Sequence, residues 1–128
     1  MSSKPPFPVP AGAVARVSII DTTLRIPGIP ATIFTHPPVP GFETLPEVTT
    51  WSFLVESSDG RKALFDLGVP KDRETGFSPK MNERVPKSFN IRVEKDVPDI
   101  LKENGVDPGE IESIILRYAP SSRQQCTI

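Results

Sequence analysis

The chain is poor in the residues that carry much soluble-enzyme chemistry. It holds one cysteine, Cys126, and one histidine, His36, in 128 residues. A lone cysteine permits no internal disulfide and no cysteine cluster for zinc. A lone histidine cannot supply the two or three imidazoles of a histidine-built zinc site. Its setting, Thr35-His36-Pro37-Pro38, is that of an exposed loop residue. Clustered charge is also missing: 15 basic and 16 acidic residues give a net charge of −1, with no long run of either sign. That argues against nucleic acid as a partner, since such surfaces carry a basic stripe. No apolar run approaches the ~20 residues of a membrane helix, and Met1 to Pro10 lacks the hydrophobic segment of a secretory signal. Hydrophobic residues make up only 37% of the chain, below the usual globular share. These absences leave a soluble, cytoplasmic protein with no membrane partner, of one domain at most and with a modest buried fraction.

Proline is what the chain has in excess, with 16 residues, ten of them before position 50. Residues 1–13, MSSKPPFPVPAGA, read as a flexible Pro-rich arm. Val14 to Ile20 reads as a first strand, with Val17 and Ile19 on one face, ended by Asp21-Thr22-Thr23. Leu24 to Thr50 contains six prolines. They exclude a regular helix and disfavour an interior strand, so a long surface excursion is expected, with a short extended piece near Thr32-Ile33-Phe34. Excursions of this length are binding loops or disorder.

The most informative stretch is Trp51 to Gly68, WSFLVESSDGRKALFDLG. Trp51, Phe53 and Val55 alternate with Ser52, Leu54 and Glu56, the period of a strand with two different faces. Ser57-Ser58-Asp59-Gly60 supplies a tight turn, and Ala63-Leu64-Phe65 runs on to Asp66-Leu67-Gly68. A carboxylate at the end of a strand, followed by a glycine turn, is where α/β architectures often place chemistry. The bland alternative for Asp66 is a carboxylate satisfying turn N–H groups, and for Gly68 a tight turn.

Beyond this hairpin, Lys71–Glu74 and Met81–Arg84 each suffice for one helical turn. Asp96 to Asn104 has the marks of a helix: an aspartate at the N-cap, a proline in the first turn, Val97, Ile100 and Leu101 on one face, and Asn104-Gly105 to close it. Asp107-Pro108-Gly109-Glu110 has capping-box spacing and leads into Ile111–Leu116, expected as a buried strand. The fold class is therefore α/β (α+β): one sheet with a single covering helix, a half-layered domain that should be marginal in stability.

The runs VSIIDTT (17–23), SFLVESSDGRKALFDLGVPKD (52–72) and VEKDVPDILKENGVDPGEIESIIL (93–116) together resemble the N-terminal part of a metallo-β-lactamase-superfamily hydrolase, in its lactonase-like and thioesterase-like branch. The resemblance implies the N-terminal part of an αββα sandwich, and a family chemistry of zinc-dependent hydrolysis of a lactone or thioester. It also implies a supporting place for Asp66, with Gly68, beside the metal loop. In the family that loop, H-x-H-x-D-H, follows the strand that corresponds to Ser113–Leu116. Here the chain continues instead as RYAPSSRQQCTI, without histidine or acidic residue, and Tyr118 stands about where the first ligand is expected.

The expected organisation is thus a flexible arm (1–13), a partial metallo-β-lactamase-like domain (14–116) truncated before its metal-binding loop, and an unrelated polar tail (117–128). No catalytic or metal residue carries over, no cofactor is expected in this chain (zinc belongs to the family), and activity is not expected from the chain alone. The alternative is a non-enzymatic interaction module. Exposed sheet edges and an uncovered apolar face would then bind a homologue or a second copy.

Overall fold

The computed structural model describes residues 12–85 and 87–116. Most of the expected arm, and the whole of the 117–128 tail with Tyr118 and Cys126, lie outside the described residues. The fold is α+β: a four-stranded mixed sheet with three helices. The strands are β1 (Arg16–Asp21), β2 (Trp51–Glu56), β3 (Lys62–Phe65) and β4 (Ile111–Ile115), and the helices are α1 (Arg73–Gly76), α2 (Pro79–Arg84) and α3 (Val97–Glu103). The spatial order is β1-β2-β3-β4, antiparallel except for the parallel pair β3–β4. A parallel pair needs a crossover, and the chain from Asp66 through the three helices provides it.

The β2–β3 hairpin forms as its sequence dictates. Gly60 takes φ 87°, and its N–H donates to the Ser57 carbonyl at 3.0 Å. Register then places Leu54 opposite Leu64 and Phe53 opposite Phe65. Because side chains alternate across a strand, Ser52, Leu54 and Leu64 share one face with Ile20. Val17, Ile19, Trp51, Phe53 and Val55 share the other. The first face carries the core: Ile20, Leu54 and Leu64 meet Val97 and Leu101 of α3, with Ile100, Val106, Ile111 and Ile114 packed around them.

Helix α3 closes as expected. Gly105 takes φ 77°, and the Val106 N–H reaches back to the Leu101 carbonyl at 2.9 Å, satisfying a terminal carbonyl in the manner of a glycine cap. Asp96 takes the N-cap position as expected, with Pro98 in the first turn. The Asp96 side chain makes no cap bond within the helix and instead accepts from the Lys71 N–H at 2.6 Å, tying the β3–α1 connection to α3. The capping box at Asp107 also resolves differently. Asp107 accepts from Gly109 N–H at 2.9 Å, but Glu110 pairs with Lys62 at 2.8 Å and so pins the turn to β3.

Two further expectations are corrected. Thr32-Ile33-Phe34 is not extended, since Ala31–Ile33 forms a 3-10 turn closed by Phe34 N–H to Ala31 O at 2.9 Å. The strand at the end of the described chain is not buried: only Ile111 and Ile114 are half-buried, while Glu112, Ser113, Ile115 and Leu116 are exposed. β4 stands at the sheet edge, and α3 covers one face of it only.

The excursion between β1 and β2 is pinned rather than loose. Ile26 and Val48 exchange two backbone hydrogen bonds at 3.0 Å, Ala31 N–H donates to Glu43 O at 2.9 Å, and Leu45 N–H donates to Ile29 O at 2.8 Å. Leu24, Ile29 and Ala31 are buried, leaving Ile33, Phe34, Val39 and Phe42 exposed around the prolines. The structure places the sequence's lone histidine in this exposed stretch, before a cis His36–Pro37 bond. Among the described residues no helix is long and apolar enough to cross a membrane.

Candidate functional site

Strand direction gathers the candidate residues at one end of the sheet. The registers pair Asp21 with Trp51, Phe53 with Phe65, and Phe65 with Ile115. The C-terminal ends of β1, β3 and β4 therefore lie together, with the root of the excursion, the Asp66–Gly68 turn and the exit of β4 on the same side. Open sheets with parallel strands bind ligands outside those carboxyl ends.

Asp66 begins the turn in the left-handed region, with φ 59°, and Gly68 follows at φ 74°. A non-glycine residue there carries a backbone cost of about 1–2 kcal/mol, so the surroundings must hold it. Three features do. The Asp66 N–H donates to the Ile115 carbonyl at 2.9 Å, extending the β3–β4 pairing by one bond. The fully buried Ser52 hydroxyl donates to the Phe65 carbonyl at 3.1 Å and also approaches the Asp66 carbonyl. On the far side, buried Thr22 lies against Gly68, where an added Cβ would stand 3.0 Å from both Thr22 Cβ and Cγ2. Glycine at 68 thus serves both its positive φ and this close approach.

Thr22 is itself fixed. Its hydroxyl donates to the Thr50 carbonyl at 2.9 Å and lies 2.6 Å from the Thr50 hydroxyl. The next residue, Thr23, is a second left-handed non-glycine, at φ 57°. Its hydroxyl accepts from the N–H groups of Glu94 and Lys95 at 3.1 and 2.9 Å and donates to the Lys95 carbonyl at 3.1 Å. That clamp joins the end of β1 to the approach of α3. Strained residues held by such over-determined contacts concentrate at functional sites.

The charged rim beside the turn is internally paired. Arg25 meets Asp21 through two bonds, at 3.0 and 2.6 Å, a bidentate arrangement favoured by the planar guanidinium. Glu47 lies 3.9 Å from Arg25 and 3.2 Å from Arg92. The hydrogen bond from Arg25 holds the Asp21 carboxyl below its ordinary pKa, against a smaller opposing effect of burial.

Of the sequence-level candidates, Asp66 and Gly68 are brought together at this end of the sheet. His36 sits in the exposed excursion and joins no ligand group. Among the described residues there is no group of three or more His, Cys, Asp or Glu able to hold a metal ion. The residues described do not fit a zinc site. The supporting hydroxyls of Thr22, Thr50 and Ser52 were not legible as site residues. Their contacts span 13 to 28 positions, and serine and threonine in strands carry no mark of such a role.

No family model matches the chain, and no solved structure matches it. The chain is 35% identical over 117 residues to a gamma-lactamase, FDB1, of Fusarium pseudograminearum (strain CS3096). The match covers 87% of this chain and 28% of that relative, so the chain spans less than a third of the relative's length. This likeness supports a link to a hydrolase family.

Proposed function

We propose that the chain supplies the first part of a metallo-β-lactamase-fold hydrolase acting on a cyclic amide or ester, and that it has no hydrolytic activity of its own. In this reading the single sheet with α3 is one layer pair of an αββα sandwich. The turn from Asp66 to Gly68 is the scaffold that supports a metal loop following β4. The observation that carries the reading is the left-handed Asp66 at the end of β3, held by Ser52 and by the Ile115 carbonyl beside the exit of β4.

The likeness to a protein named as a gamma-lactamase supports a γ-lactam as substrate class, next to the lactone or thioester that the sequence resemblance implies. The residue set supports inactivity: a sandwich hydrolase of this kind draws most of its ligands from the H-x-H-x-D-H loop, and this sequence has one histidine and no such motif.

A chimera tests the scaffold role. The matched segment of the full-length Fusarium gamma-lactamase is replaced by residues 12–116. Retained γ-lactam hydrolysis, reduced at least tenfold by Asp66→Ala in the chimera, is the expected result. A folded, metal-loaded chimera whose hydrolysis is indifferent to Asp66 would refute it.

A second reading, an interaction module without catalysis, is favoured by one specific observation, the apolar face of the sheet opposite α3.

A further inference from the structure

The chain has asparagine at positions 82, 90 and 104, and only Asn104 is followed by glycine. An asparagine side chain deamidates when the backbone nitrogen of the next residue attacks its Cγ. Glycine, with no Cβ, leaves that nitrogen the least crowded and the backbone the most free to turn. Glu83 and Ile91 crowd the corresponding nitrogens of the other two. Asn104-Gly105 is therefore the pair best composed for the main chain to modify a side chain. In the fold it ends α3. Asn104 is the C-cap residue, at φ −97° and ψ 14°, and Gly105 follows at φ 77°.

The closed cap holds both reacting groups apart. Asn104 Nδ2 donates to the Ile100 carbonyl at 2.8 Å, which folds the side chain back over the preceding turn. The Gly105 N–H, whose nitrogen would attack, donates to the Lys102 carbonyl at 3.0 Å. The Asn104 N–H is shared between the Ile100 and Leu101 carbonyls at 3.2 and 3.1 Å, and the Val106 N–H reaches the Leu101 carbonyl at 2.9 Å. Ring closure joins Gly105 N to Asn104 Cγ through C, Cα and Cβ, so the nitrogen must come to lie eclipsed with Cβ. At ψ 14° it stands well away from Cβ, and turning about ψ breaks the bonds of Gly105 and Val106 together. All of these bonds lie within residues 100–106, so the protection depends on no surface being open or covered.

We propose that Asn104 is a modification site gated by the fold. It stays intact while the α3 cap is closed and deamidates when the cap opens, after which the original cap bonds cannot all re-form. In the open state Gly105 N gives its proton to solvent base and bonds to Asn104 Cγ. The Cγ–Nδ2 bond breaks, and the nitrogen leaves as ammonia with a proton from water. Water then opens the five-membered imide at either carbonyl, giving aspartate or, where the main chain is rerouted through Cγ, isoaspartate. Nothing is oxidised or reduced, and water is the one co-reactant. Either product lacks the Nδ2 donor to Ile100 and sets a carboxylate at the carbonyl end of α3, where the helix dipole disfavours negative charge. Isoaspartate also lengthens the main chain by one carbon just before Val106, which packs against the core. A passing local opening is thereby turned into a permanent change.

The 128-residue chain is aged in mildly alkaline buffer, with and without denaturing urea, and its proteolytic peptides are scored for aspartate and isoaspartate by mass and retention. The expected result is conversion of Asn104 at least tenfold faster in urea than in buffer, with Asn82 and Asn90 unconverted over the same period. Leu101→Ala, which loosens α3 on the sheet, should speed conversion in buffer and leave the rate in urea unchanged. Asn104→Asp should unfold at lower urea than wild type. Equal rates in buffer and urea overturn the proposal, whether the cap opens freely or the fold fails to hold it. So does conversion led by Asn82 or Asn90, a rate in buffer indifferent to Leu101→Ala, or an Asn104→Asp chain as stable as wild type. None of these results bears on hydrolysis, so the scaffold reading fails or survives by its own test.

Discussion

Replacing Gly68 by alanine probes the support of the Asp66 turn most directly. Two costs combine. At φ 74° an alanine bears the left-handed penalty of about 1–2 kcal/mol. Its Cβ would also stand 3.0 Å from Thr22 Cβ and Cγ2, where carbon atoms prefer ~3.5–4.0 Å. Thr22 cannot easily turn aside, because it is buried and its hydroxyl is held by Thr50. Overpacking against a fixed neighbour costs about 1–3 kcal/mol, giving a total loss of about 2–5 kcal/mol.

Gly105→Ala is the matched control. Its φ is nearly the same, at 77°, and no atom lies within 4 Å of an added Cβ, so only the backbone penalty of about 1–2 kcal/mol applies. The assay is urea denaturation at low micromolar concentration, followed by far-UV circular dichroism. With a slope of about 1–2 kcal/mol per molar urea, the contact cost of about 1–3 kcal/mol should place the Gly68 midpoint about 0.5–3 M below that of the Gly105 variant. Adding Thr22→Ser, which removes Cγ2 and keeps the hydroxyl, should recover part of the difference. Equal midpoints for the two glycine variants would refute the close contact between Thr22 and the turn.

Further outcomes are expected. Ser52→Ala leaves the Phe65 and Asp66 carbonyls without the buried hydroxyl and should cost about 1–3 kcal/mol in urea denaturation, whereas an unchanged midpoint would mean the hydroxyl does not hold the turn. Leu101→Ala removes a buried side chain where α3 meets the sheet and should cost about 2–5 kcal/mol, lowering the urea midpoint by circular dichroism; an unchanged midpoint would mean that α3 does not hold the sheet. The Asp21 carboxyl has a folded pKa below its ordinary 3.8. Its ion pair with Arg25 therefore stabilises the fold above that ordinary value and is lost as pH falls through the lowered one. With Asp21's side chain 39% exposed, solvent screening keeps the effect under about 1 kcal/mol. Asp21→Asn should thus be slightly less stable than wild type at pH 6 and converge with it near pH 2; a gap that widened in acid would contradict the assignment.

Local chemistry was legible in the sequence where it acts over a few residues. Gly60 marks the hairpin turn, Pro98 and Gly105 bracket α3, and Val97 with Leu101 gives the face that packs. What the sequence did not carry was which side of the sheet α3 would cover. In Val17-Ser18-Ile19-Ile20, apolar residues fall on both faces of β1, so alternation alone cannot distinguish the inward Ile20 from the outward Ile19. The burial expected for the 111–116 strand failed for the same reason: its isoleucines divide between a covered and an open face. Asp96 is the helix N-cap by position, as its sequence indicates, but its carboxylate goes to the Lys71 N–H, 25 residues away. At the candidate site, Asp66 and Gly68 could be named because a carboxylate and a glycine end an apolar strand. The left-handed geometry of Asp66 and the Thr23 clamp depend on partners far along the chain, and no local spacing encodes them.

The claim that this chain is scaffold without a reaction centre is tested most directly by its own turnover. The purified 128-residue chain, equilibrated with zinc and then freed of unbound metal, is assayed for bound zinc and for γ-lactam hydrolysis with and without a chelator. The expected result is substoichiometric zinc and hydrolysis at the background rate. One zinc or more per chain, with turnover abolished by the chelator, would contradict it.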